Sequence, residues 1–245
     1  MTRAPLPRRL LAELLGTAGL VAVVVGSGIA ASRLSPDDVG LQLLENAVAT
    51  GVGLFVLILV VGPVSGAHLN PVVSLADALL GRRSGGLPLR DVLPYALAQC
   101  AGGIGGAVLA NALYDLPLVS AAETERTGGH LWLSEVVATT GLLLVVFGLA
   151  RSGLAARSVA LVPAAVGAYI TGAYFFTSST SFANPAVTLG RAFSDTFAGI
   201  APGSVPGFVL AQLVGLVVGL GLVLALYPTG APHAEGDVLV PQEDR

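Results

Sequence analysis

Six long apolar stretches follow one another along the chain, and short polar or glycine-rich segments separate them. Each is close to the length of about 20 residues that an α-helix needs to cross a bilayer. Most charged residues fall between these stretches. The pattern predicts an all-α membrane protein with six transmembrane helices, at about residues 10–31, 41–62, 91–113, 131–150, 158–177 and 206–227.

Two shorter apolar segments, at about residues 70–81 and 184–195, begin with Asn70-Pro71 and Asn184-Pro185. Asparagine is a good helix N-cap, and proline suits the first helical position. Each segment therefore predicts a short helix that begins at membrane depth. Irregular backbone is tolerated there only where protein covers it or where it lines a watery cavity. One Asn-Pro indicates only a helix start, whereas two in matching contexts indicate a functional site.

The two halves of the chain repeat the same order of polar residues. A glutamate inside an apolar run comes first, Asn-Pro follows, and a Leu-Ala-Gln triplet closes the unit. The interval from Asn70 to Gln99 is 29 residues, and that from Asn184 to Gln212 is 28. Each unit has three spans, so the second copy inserts upside down, as in the inverted repeats of many transport proteins.

Arginine placement predicts the orientation of this repeat. With the N-terminus inside the cell, nine arginines lie in cytoplasmic segments and three lie outside, which favours cytoplasmic termini. We expect a multi-pass plasma-membrane protein with a cytoplasmic N-terminus, a membrane domain and a disordered cytoplasmic tail. These divisions are residues 1–9, 10–227 (repeats at about 10–113 and 131–227) and 228–245.

Composition excludes several classes of function. Hydrophobic residues make up 54% of the chain and charged residues 11%, and the net charge is −3. Such a chain is not expected to bind nucleic acid. The single Cys100 lies in an apolar run and is interpreted as a packing residue. Neither a nucleophile with its base nor a metal-ligand cluster is apparent, so we expect no enzyme activity, cofactor or metal.

Inverted copies send the two half-helices in from opposite sides, so Asn70 and Asn184 are expected to meet near the centre of the membrane. Two positive helix ends then face one place, and their field opposes cations and protons. The asparagine amides and the backbone carbonyls before them can hydrogen-bond a neutral polar solute. The expected partners are the lipid bilayer and a small, uncharged, hydroxylated solute.

Glu13 and Glu135 occupy equivalent positions in the repeat. We expect each to accept backbone N–H groups from the irregular loop before a half-helix, with His68 supporting the first loop. A proton-coupled carboxylate pair is the alternative. Glu45 has no counterpart and no assigned role. Glycines in spans three and six are predicted to allow close helix packing; they are Gly102, Gly103, Gly105, Gly106, Gly215, Gly219 and Gly221.

The stretches Ser65-Gly66-Ala67-His68-Leu69-Asn70-Pro71-Val72 and Phe182-Ala183-Asn184-Pro185-Ala186 resemble those of the major intrinsic proteins, the family of aquaporins and glycerol facilitators. The resemblance covers about residues 8–227. It implies an aquaporin-like fold of six tilted helices and two half-helices, one pore per subunit and a homotetramer. The family's Asn-Pro-Ala signature appears here as Asn70-Pro71-Val72 and Asn184-Pro185-Ala186.

The resemblance also implies an outer selectivity filter. Typical members have an arginine directly after the second signature, but this chain has Val187, so we expect a wider and less polar constriction. Arg191 lies one helical turn further on. It could reach the outer vestibule, although contact with solvent or lipid headgroups is the preferred interpretation.

The other filter positions are expected at Thr50 in span two and at Ser181, three residues before Asn184. The span-five position is Tyr174 by one count and Gly172 by another. The run Thr180–Thr188 further resembles a bacterial subgroup of these channels that is associated with arsenic resistance. That resemblance suggests arsenous acid or methylated arsenicals as solutes.

We therefore predict a passive channel for small neutral solutes such as water and glycerol-like polyols. The alternatives are a gradient-coupled secondary transporter, a strict water channel, and a non-conducting protein whose pore is occluded by Phe175, Phe176 or Phe182. A coupled transporter is disfavoured because we identify no acid or arginine near Asn70 or Asn184 that could perform the coupling.

Overall fold

The computed structural model describes residues 3–82 and 85–228. This described part contains eight α-helices and no β-strand. The six long helices are α1 (Leu6–Leu34), α2 (Val39–Ser65), α4 (Leu89–Leu113), α5 (Gly129–Arg151), α6 (Leu161–Phe176) and α8 (Val205–Leu226). The two short ones are α3 (Pro71–Leu80) and α7 (Pro185–Arg191). The predicted fold class, six helices with two half-helices, is confirmed.

Five of the long helices have the length and apolar character needed to span a membrane. The sixth, α6, has 16 residues and is shorter than its predicted window, because residues 158–160 form a turn in which Leu161 N–H donates to the Ser158 carbonyl oxygen before the helix begins. Apolar side chains point outward from the bundle, for example Val52 and Val56 on α2 and Leu97 on α4. Lipid contact explains such large exposed apolar side chains.

The second half-helix is shorter than the predicted segment 184–195, because α7 ends at Arg191. Beyond it the backbone turns tightly, and the Ser194 hydroxyl donates to Asn111 on α4 over 2.7 Å. This turn leads the chain back over α7. The first half-helix agrees with its predicted segment. The predicted disordered tail, apart from Pro228, lies outside the described residues.

The halves of the chain pack in the same way. In the first half α1 packs on α4 and α2, and in the second half α5 packs on α8 and α6. Each half-helix also reaches across, so that α7 contacts α4 and α3 contacts α8. The exchange ties the two repeats together around the centre of the bundle.

Several of the predicted packing glycines lie at these crossings. A Cβ on Gly103 of α4 would come within 2.6 Å of the Ala186 carbonyl oxygen of α7, and one on Gly215 of α8 within 2.8 Å of the Val136 carbonyl oxygen of α5. Gly105 and Gly221 are exceptions. A Cβ at either position would meet no atom within 4 Å, because these two glycines lie on the side of their helix that faces away from its neighbours.

Candidate functional site

The two half-helices begin in the manner that the sequence predicts. Asn70 caps α3 by accepting from Val72 N–H at 2.9 Å, and Asn184 caps α7 by accepting from Ala186 N–H at 2.9 Å. Pro71 and Pro185 occupy the first helical positions, where a missing N–H costs nothing. Each asparagine oxygen thereby satisfies a backbone donor that the helix itself cannot pair.

The asparagine amide groups connect the two repeats. Asn70 Nδ2 donates to the Ala183 carbonyl oxygen at 2.8 Å, and Asn184 Nδ2 donates to the Leu69 carbonyl oxygen at 2.7 Å. The carbonyls directly before each asparagine are therefore already paired across the repeat. An amide NH₂ group has two hydrogens, so one on each asparagine remains for another acceptor.

The loops before the half-helices have an unusual backbone. Ala67 and Leu69 have φ values of 50° and 49°, and their repeat equivalents Ser181 and Ala183 have 50° and 47°. This left-handed conformation costs a non-glycine residue about 1–3 kcal/mol. It persists only where the surroundings hold it in place.

Glu13 holds the first loop. Its fully buried carboxylate accepts from His68 N–H at 3.0 Å and Leu69 N–H at 2.7 Å, and also from the side chains of Ser65 at 2.6 Å and Gln99 at 2.7 Å. Four hydrogen bonds compensate the desolvation of this charge.

Glu135 holds the second loop with an equivalent set. It accepts from Phe182 N–H at 2.9 Å and Ala183 N–H at 2.8 Å, and from the side chains of Ser179 and Gln212, both at 2.7 Å. Neither glutamate lines the central cavity. Their contacts are those of loop supports, whereas the alternative carboxylate pair would have to face one shared site.

Sequence analysis missed four members of these networks. Ser65 and Ser179 lie five residues before the two asparagines, and Ser74 and Thr188 lie four residues after them. The last two accept from Gln99 and Gln212 at 3.0 and 2.9 Å. Equal spacing around each Asn-Pro is a signal that could have identified all four.

A cavity of about 60 Å³ runs past both asparagines. Most of its wall is apolar and includes Leu54, Ile170 and Val187. Asn70 and Asn184 are polar groups at its middle, while His68 lies towards one end and Arg191 towards the other. The remaining signature residues, Pro71, Val72, Pro185 and Ala186, do not line the cavity.

Four of the predicted filter residues line the cavity near the N-terminal half of α7. Thr50, Tyr174, Ser181 and Val187 are each at most 5% exposed. The Thr50 and Tyr174 hydroxyl groups lie 3.1 Å apart and share a hydrogen bond. Of the two residues considered for the span-five position, Tyr174 lines the cavity, whereas Gly172 is exposed on α6 and does not line it.

Arg191 corrects the sequence analysis. The preferred interpretation placed it in solvent or among lipid headgroups, but it is 2% exposed and lines the cavity. Its Nε donates to the Ala198 carbonyl oxygen, and its guanidinium carbon lies 3.4 Å from the centre of the Phe182 ring. The turn that follows α7 supplies this carbonyl and folds the arginine inward. The end of the cavity near Val187 therefore does carry a guanidinium group.

The other end of the cavity corrects a second expectation. His68 Nδ1 lies 3.1 Å from Ser74 Oγ, and His68 Nε2 lies 3.6 Å from the buried carboxylate of Asp77. Sequence analysis identified no acid or arginine near the two asparagines. The structure brings both kinds of side chain to the cavity or directly behind its wall, because α3 and α7 carry them inward.

The aromatic residues proposed to occlude a pore do not share one location. Phe175 and Phe176 are 52% and 59% exposed on α6, so they face away from the bundle. Phe182 is 4% exposed and lines the cavity. It occupies the position in the second repeat that His68 occupies in the first, two residues before the asparagine.

Comparison with known proteins agrees with this geometry. A model of the major intrinsic protein family matches residues 1–181. The chain is 50% identical over 232 residues to aquaglyceroporin AqpS of Rhizobium meliloti (strain 1021), and the match covers 95% of each chain. It is 30% identical over 244 residues to the glycerol uptake facilitator protein of Streptococcus pneumoniae (strain ATCC BAA-255 / R6), covering 89% of this chain and 97% of that one.

Among solved structures, that of the aquaglyceroporin from Plasmodium falciparum is similar with a TM-score of 0.67. The alignment covers 91% of this chain and 96% of that chain at 23% sequence identity. At this level of identity the similarity shows a shared fold.

Proposed function

This chain belongs to the major intrinsic protein family, and we propose that it is a passive channel for small neutral solutes, including water and glycerol-like polyols. Membership of this family of channels, together with the apolar helices, makes it a multi-pass membrane protein and not an enzyme. The names of its relatives, an aquaglyceroporin and a glycerol uptake facilitator, support both classes of solute.

The observation that carries the proposal is a pair of asparagines beside a cavity with mostly apolar walls. Each asparagine donates a hydrogen bond to a backbone carbonyl of the other repeat. Apolar walls give a solute nothing to bind, so the few polar groups at the centre fix its path. One free amide hydrogen on each asparagine can donate to a water or hydroxyl oxygen. The positive ends of α3 and α7 oppose a cation at the same point.

We propose that Thr50, Tyr174, Ser181, Val187 and Arg191 form the outer filter. Val187 presents a short apolar side chain where typical members have arginine, which favours passage of solutes wider than water. Such a filter is compatible with arsenous acid or methylated arsenicals, because arsenous acid is a neutral, polyol-like molecule. We further propose a homotetramer in which each subunit has its own pore, with both termini cytoplasmic.

The second candidate function is a gradient-coupled transporter, and the contact between His68 and Asp77 beside the cavity is the observation that favours it. A carboxylate next to an imidazole could bind and release a proton. Against this, Glu13 and Glu135 are fully occupied by loop hydrogen bonds and lie outside the cavity wall. Coupling would therefore depend on the single pair at one end.

Stopped-flow light scattering on proteoliposomes tests these functions. The purified protein is challenged in turn with sucrose, glycerol and a neutral metalloid acid. Rapid glycerol entry that is independent of proton and sodium gradients supports the wide-filter channel. Fast water flow with every solute excluded indicates a strict water channel, and saturable, gradient-dependent uptake indicates the transporter. No flux above empty liposomes contradicts the proposal altogether.

A further inference from the structure

Arg191 is a buried cation with few partners. In the part of the chain that the structure describes, its one hydrogen bond runs from Nε to the Ala198 carbonyl oxygen, and it takes part in no ion pair. Its terminal nitrogens Nη1 and Nη2 therefore have no protein acceptor there. A buried guanidinium group is normally compensated by several hydrogen bonds or by an opposite charge.

The two contacts that Arg191 does make fix its orientation. Phe182 covers one face of the guanidinium plane at 3.4 Å, and the Ala198 carbonyl occupies the Nε position. A guanidinium group can bind a carboxylate through two parallel N–H groups. Because Nε is occupied, the edge formed by Nη1 and Nη2 is the one left for such a ligand.

A second unpartnered group lines the same cavity. Ser181 Oγ is buried and has no hydrogen-bond partner among the described residues, although Ser181 contributes to the cavity wall with Arg191. The Thr50 and Tyr174 hydroxyl groups, which bond to each other, also lie on this wall. This end of the cavity thus presents one fixed cation, and the Thr50–Tyr174 pair has one hydroxyl hydrogen that their shared bond does not use.

The surrounding charges leave the site positive. Arg126 lies beside the same phenylalanine, with its guanidinium carbon 5.2 Å from the centre of the Phe182 ring. Glu135 is an acid whose charge also acts on Arg191, but its oxygens already accept four hydrogen bonds. Two arginines against this one acid leave an excess of one positive charge.

We propose that the Arg191 end of the cavity binds a small monovalent carboxylate, held by Nη1 and Nη2 of Arg191, and that the bound anion blocks the passage of neutral solutes. Formate and acetate are the small monovalent carboxylates that serve as probes of this site. The block rests on the proposed function, because it takes the cavity as the solute path. The binding itself does not.

Glycerol flux into proteoliposomes in the presence of sodium formate tests the proposal. Formate replaces chloride on both sides of the membrane at constant ionic strength, so that neither salt screening nor an anion gradient contributes. We expect the glycerol rate to fall as formate replaces chloride. The rate in chloride alone should not depend on the chloride concentration. A planar carboxylate offers each N–H group of the fork its own oxygen in two parallel hydrogen bonds, whereas a single halide ion must share itself between the two.

Variants assign the effect to Arg191. Arg191→Gln should raise the half-inhibitory formate concentration by about tenfold or more, because a hydrogen bond to a charged group is lost. Arg191→Lys keeps the charge but lacks the planar fork, so the preference for formate over chloride should disappear. Arg157→Gln removes an exposed arginine of a remote 3-10 turn and should behave as the wild type. Each variant is compared with its own rate in chloride.

Equal block by formate and chloride, or an Arg191→Gln variant as sensitive as the wild type, would overturn the proposal while leaving the channel function intact. An absence of glycerol and water flux in chloride would instead contradict the channel. Calorimetric titration of formate into the detergent-solubilised protein then reads out the site alone. Binding heat that Arg191→Gln or Arg191→Lys reduces supports the site, whereas heat that is absent or unchanged refutes it.

Discussion

Single asparagine side chains at the centre of the protein perform two tasks at once. The oxygen of Asn184 caps α7, and its amide nitrogen donates to the Leu69 carbonyl of the other repeat. A substitution that keeps the size of this residue but removes its donor separates the second task from the first. Aspartate is such a substitution, since its carboxylate can still cap the helix.

Asn184→Asp is therefore expected to impair solute flux or to weaken cation exclusion. The carboxylate cannot donate to Leu69 or to a solute, and its negative charge opposes the positive field of the half-helices. Stopped-flow solute entry and a cation-flux assay on the same proteoliposomes measure both quantities. As a control, Asn46→Asp makes the same change at a buried asparagine of α2 that does not line the cavity. Unchanged transport and unchanged exclusion in Asn184→Asp would remove the residue from the mechanism.

Val187→Arg is expected to narrow the filter and to favour water over larger solutes. The longer side chain would fill space that the valine leaves open and would place a second guanidinium group near Arg191. The ratio of water to glycerol permeability measures the effect, and Val187→Leu enlarges the residue without adding charge. An unaltered ratio in Val187→Arg would count against Val187 as a filter residue.

Some of these residues could be assigned from the sequence and others could not. Asn70 and Asn184 could be identified because each begins a half-helix in a repeated context. The position of Arg191 could not, because it depends on the turn after α7, which brings the Ala198 carbonyl back towards the helix. Val72 stands where the family's signature has alanine, and its side chain lies outside the cavity wall and is 1% exposed.

The half-helices are elements that depend on support from elsewhere. With 10 and 7 residues, α3 and α7 are too short to be stable by themselves, and the loops before them contain left-handed residues. Two buried glutamates on α1 and α5 provide the support. Their positions in the repeat were visible in the sequence, and so was the equal spacing of their serine and glutamine partners. That these side chains meet at the glutamates becomes evident only when the helices are brought together.

Glu135→Gln is expected to destabilise the second half-helix and reduce flux. The NH₂ group of glutamine replaces one carboxylate oxygen and is itself a hydrogen-bond donor. The backbone N–H that donated to this oxygen therefore loses its acceptor. Loss of a hydrogen bond to a charged group costs about 1.5–3 kcal/mol. Thermal unfolding in detergent measures the loss of stability, and glycerol flux measures its effect on the pore.

Glu45→Gln is the matched control, because Glu45 lies half-buried on α2 and accepts one hydrogen bond, from Ser35 at 2.9 Å. A Glu135→Gln variant no less stable than Glu45→Gln would show that the carboxylate charge is not needed to hold the loop.

The close contact between α4 and α7 leads to a separate prediction. Gly103→Ala should lower stability and flux, because its Cβ would come within 2.6 Å of the Ala186 carbonyl oxygen and push α7 away. Gly105→Ala on the same helix has open space around it and should be tolerated. Unfolding temperature and glycerol flux distinguish the two variants. Equal behaviour would indicate that this helix contact can adjust without cost.

The whole molecule is built as two intertwined copies of one unit. The asparagine amides, the glutamate networks and the crossed half-helices all obey the same pairing of repeats. Sequence predicted this arrangement because polar residues are rare enough in an apolar chain for their order to be recognisable. The cavity wall could not be predicted in the same way, since most of it is formed by aliphatic residues that resemble those facing lipid.

The burial of individual arginines bears on the predicted orientation of the protein in the membrane. Of the three arginines assigned to the outside, Arg191 is buried and Arg126 is half-buried, which leaves Arg33 as the exposed one. On the inside, Arg9 is buried in an ion pair with Asp91 at 2.9 Å. Excluding these internal arginines sharpens the asymmetry, and it still favours a cytoplasmic N-terminus.

Single cysteines in a Cys100→Ser background test this orientation. Thr127→Cys lies in the segment between α4 and α5, and Ser152→Cys lies directly after α5, so the two sites are expected on opposite sides of the membrane. A membrane-impermeant maleimide applied to intact cells should label Thr127→Cys and spare Ser152→Cys, while both should react after permeabilisation. The reverse pattern would place the termini outside, and the Arg191 end of the cavity would then face the cytoplasm.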